Sequence, residues 1–507
     1  MDDLFKNIIG HCKTYGFIFP SSEIYDGLSA TYDYGPNGVE LKNNIKRAWW
    51  KSMVQMHANI VGIDAAIFMH PQVWKASGHV DAFNDPLIDN KQSKKRYRAD
   101  VLVEDYMAKI EGKIDKEITK AKKRFGEDFD EAVYRDTNGR VLGYAQKHED
   151  ARVRLAKAMT DGDLEDLYQM IVDYEIACPE SGSREWTEVR QFNLMFSTQL
   201  GAVAGEEGKL YLRPETAQGI FVNFLNVQKS ARQKIPFGIA QIGKAFRNEI
   251  IARQFIFRMR EFEQMEMQFF VAPGTQEQWY EHWKAERLAW HQELGGSEDD
   301  LRFHNHDNLA HYADAAVDIE FKFPFGFKEL EGIHSRTDFD LTQHQELSGK
   351  KLQYFDPEQN ESYIPYVVET SIGVDRMFLS ALTRAYTVED VPDGKGGSSE
   401  RIVLKLHPSL APTKVAILPL LKNNSDLTGL AHQIYDALKQ HFPCEYEEKD
   451  AIGRRYRRQD AVGTPYCVTI DHDSLDDKAV TVRDRDTLEQ ERIAIAELGD
   501  YLIKRLS

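Results

Sequence analysis

Residues 246–270 read FRNEIIARQFIFRMREFEQMEMQFF, and their alternation restricts the fold more than any other feature of the chain. From 258 onward, even positions carry Arg258, Arg260, Phe262, Gln264 and Glu266, while Met259, Met265, Met267 and Phe269 fall on odd ones. In a strand, residues two apart share a face. One side of this segment would then be apolar and pack inward, and the other would present guanidinium, ring and carboxylate in a row. Arg247 and Glu249 would face one way before it, and IIARQFIF (250–257) would hold the turn of a long hairpin. Positions 258, 262 and 266 are also four apart, so Arg258–Glu261 and Arg260–Glu263 would serve equally as helical ion pairs. Periodicity over so short a run leaves helix and strand both open.

A strand face of that composition has a chemical use. A guanidinium is a fork of donors matched to phosphate oxygens. A phenylalanine ring offers a base a stacking surface worth about 1–3 kcal/mol. A carboxylate takes an ammonium group or an amine edge.

The remaining 480-odd positions bound the class. A length of 507 residues predicts three or four domains at about 150 residues each. No apolar run nears the ~18 residues of a membrane span, and MDDLFKNIIGHCKTYGF lacks a basic start followed by an apolar core. The expectation is a cytoplasmic protein with no membrane partner. Cys12, Cys178, Cys444 and Cys467 are too widely separated for a disulfide framework. A net charge of −17 argues against nucleic-acid binding by bulk charge. Two basic clusters, KQSKKRYR (91–98) and GRRYRRQD (453–460), stand against it, and as bare charge runs they read as solvated faces.

Along the chain, a helix with an apolar stripe at Leu41, Ile45, Trp49, Met53 and Met56 follows Pro36. Residues 104–165 are dense in mixed charge and read as a helical insertion, which splits a first domain into 1–103 and 166–390. Short apolar runs at 186–270 predict strands, and 279–295 a helix. Residues 391–411, opening with the Gly/Ser-rich VPDGKGGSSE, read as a linker. Strand and helix patterns then alternate through 412–507, as in a separate α/β domain.

RNE (247–249), then Arg258, Phe262 and Glu266 at four-residue spacing, resembles motif 2 of class II aminoacyl-tRNA synthetases. ETSIGVDRMFLSAL (369–382), with Arg376, resembles motif 3, and the helix after Pro36 resembles motif 1. FNLMF (192–196), RPETAQGIF (213–221), FEQMEMQFF (262–270), ELEGIHSRTDFDL (329–341) and GRRYRRQDAVGTPYCVTID (453–471) resemble the glycyl-tRNA synthetase family of α2 homodimers. The likeness covers nearly the whole chain except 104–165. It implies an α+β catalytic domain, an antiparallel sheet flanked by helices in the class II synthetase fold, and a C-terminal α/β anticodon-binding domain.

The resemblance also implies chemistry: glycine and ATP form glycyl-adenylate, and glycine passes to tRNA(Gly). It assigns Arg247 and Arg376 as catalytic phosphate clamps. It implies ATP contacts from Asn248, Glu249, Phe257, Arg258, Arg260, Phe262, Glu329, Leu330, Glu331, Gly373 and Asp375, with Mg²⁺ at Glu329 and Glu331. For glycine it implies an acidic cage of Glu215, Glu266, Glu369 and Ser371 beside Phe262, with Arg336 facing the carboxylate and Arg98, in YRAD, also touching substrate. It implies a homodimer through the helix at 39–56, and tRNA attracted by 453–460, with Tyr456 free to stack. CPESGSREW (178–186) resembles half a zinc knuckle, CPxCG, with Ser181 in the second ligand position and no partner CxxC. No structural zinc is expected, and His304, His306 and His311 read as ordinary polar histidines. The alternatives are a class II synthetase for threonine, proline or histidine, or a non-catalytic relative such as a polymerase accessory subunit. RPETAQGIF and the acidic cage oppose the former; the presence of Arg247, Phe262 and Arg376 opposes the latter.

Overall fold

The computed structural model describes residues 3–126, 129–201, 208–249, 254–306, 309, 312–392 and 397–506. Residues 250–253 of the expected turn, the tip of the expected linker at 393–396, and His311 lie outside these. The chain divides into two compact units, one of 1–77, 196–247 and 252–507, the other of 78–195 and 248–251.

The first unit is built on a seven-stranded sheet. Its strands in chain order are β1 (Ile60–Gly62), β2 (Phe237–Phe246), β3 (Glu261–Val271), β4 (Leu301–Asn305), β5 (Ala315–Phe323), β6 (Gly326–Thr337) and β7 (Tyr366–Gly373). Their spatial order is β4-β5-β6-β7-β3-β2-β1, antiparallel except for β1 beside β2. The ambiguous charged segment is thus a strand. β2 and β3 pair from Phe246↔Glu261 to Phe237↔Phe270.

The alternation sorts the two faces of this sheet. Met265, Met267 and Phe269 join one large apolar core with helices α1 (Pro36–Trp50), α2 (Gln276–Glu293) and α4 (Val374–Ala385). Leu41, Ile45, Trp49 and Met53 are wholly buried in it, whereas Met56 is exposed. α1 starts on Pro36, whose fixed φ suits a first helical turn. Gly38 is obligatory there, since a Cβ would lie 1.9 Å from the Phe17 carbonyl oxygen. On the opposite face, Phe270 and Phe237 pack against Ala217, Ile220, Phe221 and Leu341, the last from α3 (Phe339–Ser348). Nearer Gln264 that face becomes polar.

The expected linker is a correction. Tyr386–Pro392 and Ser398–Leu404 form an antiparallel hairpin, with Val403 and Leu404 buried at its end and Leu406 and Leu410 buried after it. The C-terminal sheet follows: β8 (Val415–Pro419), β9 (Cys444–Tyr446), β10 (Tyr466–Ile470), β11 (Ala479–Asp484) and β12 (Gln490–Ala494), in order β9-β8-β10-β11-β12. The first three run parallel, and α5 (Ser425–Leu438) and α7 (Leu498–Leu506) cover one face. The basic run lies on the helix between them, α6 (Ile452–Val462). Two of its charges are internal: Arg455 is buried and donates to the carbonyls of Pro419 and Glu447, and Asp460 holds Arg401 and Arg483. Tyr456 is not free to stack as expected, because Arg483 covers its ring at 4.7 Å and its hydroxyl meets Thr469 at 2.5 Å.

The second unit is wider than the helical stretch at 104–165. Strands Asn84–Asp89, Arg96–Arg98 and Arg190–Asn193 form a small sheet. Helices Ala99–Phe125, Gly139–Asp161 and Leu164–Asp173 accompany it. Ile88, Tyr97, Leu102, Val103, Leu167, Met170 and Trp186 share its core.

Candidate active site

Register places chemistry in two rows across the polar face. One row runs His304, Asp318, Gly332, Ser371, Glu266, Gln241 on successive strands β4 to β2. The next contains Ala316, His334, Glu369 and Gln268. Glu266 and Glu369 are both buried, at 2% and 4% exposure. The Gln268 amide donates to both, 3.1 Å to Glu266 and 2.6 Å to Glu369, and the Thr216 hydroxyl donates to Glu266. Glu369 also pairs with Arg336 Nη1 at 3.0 Å and His334 Nδ1 at 3.1 Å.

These neighbours drive the two carboxyls apart. Burial, and then the charges of Glu369 and Glu215, push Glu266 well above the ordinary value of 4.5. Burial also opposes charge on Glu369, but Arg336 and the hydrogen bond from His334 outweigh it and hold this carboxyl below that value. Glu215 accepts from Gln218 Nε2 at 3.0 Å. Among the described residues, both amide atoms of Gln241 lack hydrogen-bond partners, as do the carbonyl oxygens of Gln264 and Gln268. Buried polar atoms without partners mark a place a polar ligand satisfies. The resemblance had supplied the glutamates but not Gln241, Gln268 or Thr216. Gln241 and Gln268 fall in the strand alternation, which is the signal that points to them.

A second cluster lies at the strand ends. Arg247 follows β2, its Nε donates to the Pro214 carbonyl at 3.0 Å, and its guanidinium stands 5.3 Å from the Phe262 ring. Arg376, in the first turn of α4, stacks on Phe257 at 4.4 Å and pairs with Glu329 at 2.9 Å. The Arg376 charge holds the Glu329 carboxyl below its ordinary value despite opposing burial, and Arg247 acts in the same direction. The carboxylate that Arg376 pairs with is half exposed. Arg260 Nη1 donates to the Ser29 carbonyl at 3.2 Å, Arg258 is extended just before β3, and Gly373 precedes α4.

Four expectations change. Glu331 does not join Glu329. The β5–β6 pairing slips between Ile319↔Glu331 and Glu320↔Glu329, so Leu330 is an extra residue and the two glutamates face opposite ways. Glu331 is fully buried against α2, bound by Arg287 Nε at 2.6 Å and His291 Nε2 at 2.8 Å. Leu330 itself packs its side chain in the apolar core. Asp375 faces α1, not the polar cleft: it accepts from Tyr34, from Lys42 at 3.2 Å and from the Glu263 backbone N–H at 2.9 Å. Arg336 is engaged on one edge by Asp340, at 2.9 and 3.1 Å, and on the other by Glu369. It fixes Glu369 rather than offering itself to a substrate carboxylate. His306, expected as an ordinary polar histidine, has its Nε2 2.9 Å from Asp318 Oδ2.

Asn248, Glu249 and Arg98 belong to the second unit. There Arg98 pairs with Asp85 at 3.0 Å and Asp100 at 2.6 Å. The same unit holds the half knuckle, and its other half is present in different residues. Asn90 Oδ1 accepts from Ser181 Oγ at 3.2 Å, and Ser93 Oγ lies 3.4 Å from Cys178 Sγ. Asn90-x-x-Ser93 repeats the spacing of Cys178-x-x-Ser181, which is the signal the sequence reading passed over.

Comparison with known proteins decides the family. Residues 85–194 match the model of glycyl-tRNA synthetase insertion domain 1, 202–386 the tRNA synthetase class II core domain (G, H, P, S and T), and 414–505 an anticodon binding domain. The glycine–tRNA ligase of Chlorobaculum tepidum is 52% identical over 99% of this chain and 100% of its own length. Those of Macrococcus caseolyticus and Staphylococcus aureus (strain JH9) are each 49% identical, over 99% and 98% of this chain and 98% of their own length. The chain belongs to the glycine–tRNA ligase family. The insertion matched in that family coincides closely with the second unit, 78–195. Within the family's class II core lie β2 to β7, the strands that carry both polar rows.

Proposed function

We propose that this chain attaches glycine to tRNA(Gly) in two steps, with ATP as co-substrate. The observation that carries the reading is the pair of buried glutamates, Glu266 and Glu369, on one sheet face with Arg247, Phe262 and Arg376 at its edge. The glycine carboxylate attacks the α-phosphorus of ATP, the bond to the β-phosphate oxygen breaks, and pyrophosphate leaves. A hydroxyl of the terminal ribose of tRNA then attacks the carbonyl carbon, and AMP departs. No protein nucleophile is needed, because the attacking carboxylate is already ionised. The site's task is to bring two anions together and hold them in line.

Glu266, Glu369 and Glu215 receive the ammonium group, and Gln241 and Gln268 supply unpaired amide atoms around it. A larger amino acid would meet this packed wall, which excludes it by clash. Arg247 neutralises the α-phosphate and Phe262 stacks on adenine, with Arg258, Arg260, Phe257 and Arg376 around the base and outer phosphates. Glu329, half exposed and kept ionised by Arg376, is suited to the Mg²⁺ that accompanies ATP, where the ion would draw charge from the phosphates. The C-terminal domain binds the anticodon arm. A homodimer fits exposed Ile24, Tyr25 and Leu28, which precede α1. No helix among the described residues is long and apolar enough to cross a membrane, and we place the reaction in the cytoplasm with its tRNA.

Amino-acid-dependent pyrophosphate–ATP exchange, followed by charging of total tRNA, tests this. Exchange with glycine alone supports it. Exchange only with threonine, proline or histidine would reassign the substrate, and no exchange at all would indicate a non-catalytic relative. Sedimentation at micromolar concentration tests the dimer.

A further inference from the structure

His306, Asp318 and His334 come from three adjacent strands or their ends, and each offers one ligand atom within 4.8 Å of the other two. His306 Nε2 lies 2.9 Å from Asp318 Oδ2. Gly332, opposite Asp318 in the register, leaves the space between them open: a Cβ there would lie 3.1 Å from His334 Nε2 and 3.6 Å from Asp318 Oδ1. His334 Nε2 is buried and has no hydrogen-bond partner among the described residues. Its other nitrogen, Nδ1, is held by the Glu369 carboxylate at 3.1 Å. A histidine oriented from behind by a carboxylate, with its free nitrogen directed into a polar gap, has the arrangement that metal-ligating histidines show. His306 is one-third exposed and leaves an entry path.

We propose that these three residues form a binding site for a first-row transition-metal dication of the Zn²⁺ type, with water completing its coordination. Two imidazoles and one carboxylate suit such ions better than Mg²⁺, which prefers an all-oxygen shell. Bonds of about 2.0–2.2 Å place ligand atoms roughly 3–4 Å apart, which small side-chain adjustments reach. The site adjoins the proposed glycine pocket through Glu369 but uses other ligands than the ATP-bound Mg²⁺, which is assigned to Glu329.

The test is Co²⁺ titration of the metal-stripped full chain, followed by visible d–d absorption. The parent should take up one absorbing equivalent, displaced by Zn²⁺ but not by excess Mg²⁺. His306→Ala, at the exposed end of the trio, should lose it with an unchanged circular dichroism spectrum. Glu369→Gln, which removes the supporting carboxylate, should weaken it by roughly 10–100-fold. All variants keep the same four cysteines, so thiol binding cannot mimic the difference. Absence of the spectrum in the parent would overturn the proposal, as would identical titrations of parent and His306→Ala. Glycine-dependent exchange in Mg²⁺ alone separately reports whether the reaction assignment stands.

Discussion

Glu266 and Glu369 occupy neighbouring strands and share one amide, whose Nε2 stands 3.1 Å from the first and 2.6 Å from the second. The arrangement ionises one and favours the proton on the other. Glycine's ammonium would reverse the preference at Glu266, so binding should release a proton, measurable by calorimetry in buffers of different ionisation heat.

The same carboxyl makes a stability prediction. Its folded value is raised above the ordinary 4.5, so the folded chain binds the proton more tightly than the unfolded one. Stability from this group is therefore lost as pH rises above that ordinary value. Glu266→Gln has no proton to lose. Its urea midpoint should exceed the parent's by more at pH 8 than at pH 6, while glycine-dependent kcat/KM falls about 10–150-fold for loss of a charged hydrogen-bond partner. A gap between the two proteins that is constant with pH would show that Glu266 is not raised.

Arg247 should matter to the reaction and little to the fold. Its guanidinium rests on the Phe262 ring and one backbone carbonyl, outside the apolar core. Arg247→Ala should lower pyrophosphate exchange by about 100–1,000-fold, the scale of a lost preorganised donor, with an unfolding midpoint close to the parent's. Equal exchange rates would remove Arg247 from the phosphate.

The bulge at Leu330 separates two glutamates by role. Glu331→Gln leaves Arg287 buried without its countercharge, and breaking such a pair costs about 3–5 kcal/mol. Glu329→Gln, at a half-exposed position, should change stability by less than about 0.5 kcal/mol but raise the Mg²⁺ concentration needed for exchange. Reversed phenotypes would mean that the bulge is misplaced.

These contrasts show what the sequence could carry. The alternation at 264–270 was legible because it records one strand's two faces, and the motifs fixed which of two periods to read. The divergence of Glu329 and Glu331 was not legible, since a register slip is a property of the neighbouring strand. Arg336 and Asp375 read as ligand contacts because Glu369 and Lys42, remote in the chain, reach them only through packing, although Asp340 stands just four residues beyond Arg336. The 391–411 segment read as a linker because its Gly/Ser-rich tip hides the pairing of its flanks. Tyr456 read as available because nothing local reveals Arg483 over its ring.

The last prediction comes from the insertion. Asn90, Ser93, Cys178 and Ser181 close a knuckle by hydrogen bonds at 3.2 and 3.4 Å. Four thiolates around a tetrahedral zinc, at bonds of about 2.3 Å, would lie ~3.8 Å apart, close to these spacings. In the parent, burial opposes a thiolate at Cys178, but hydrogen bonds involving Ser181, Ser93 and Tyr97 prevail and lower it to about 6; the substitutions remove both serine hydroxyls, so in the variant the zinc itself must draw the protons from the thiols. The combined substitutions Asn90→Cys, Ser93→Cys and Ser181→Cys should create a Cys₄ site. Relative to the parent, the variant should bind one additional zinc per chain, show a thiolate-to-Co²⁺ charge-transfer band, and melt at a temperature that drops on chelation. A folded variant with no extra zinc would show that the two turns do not converge on a common centre.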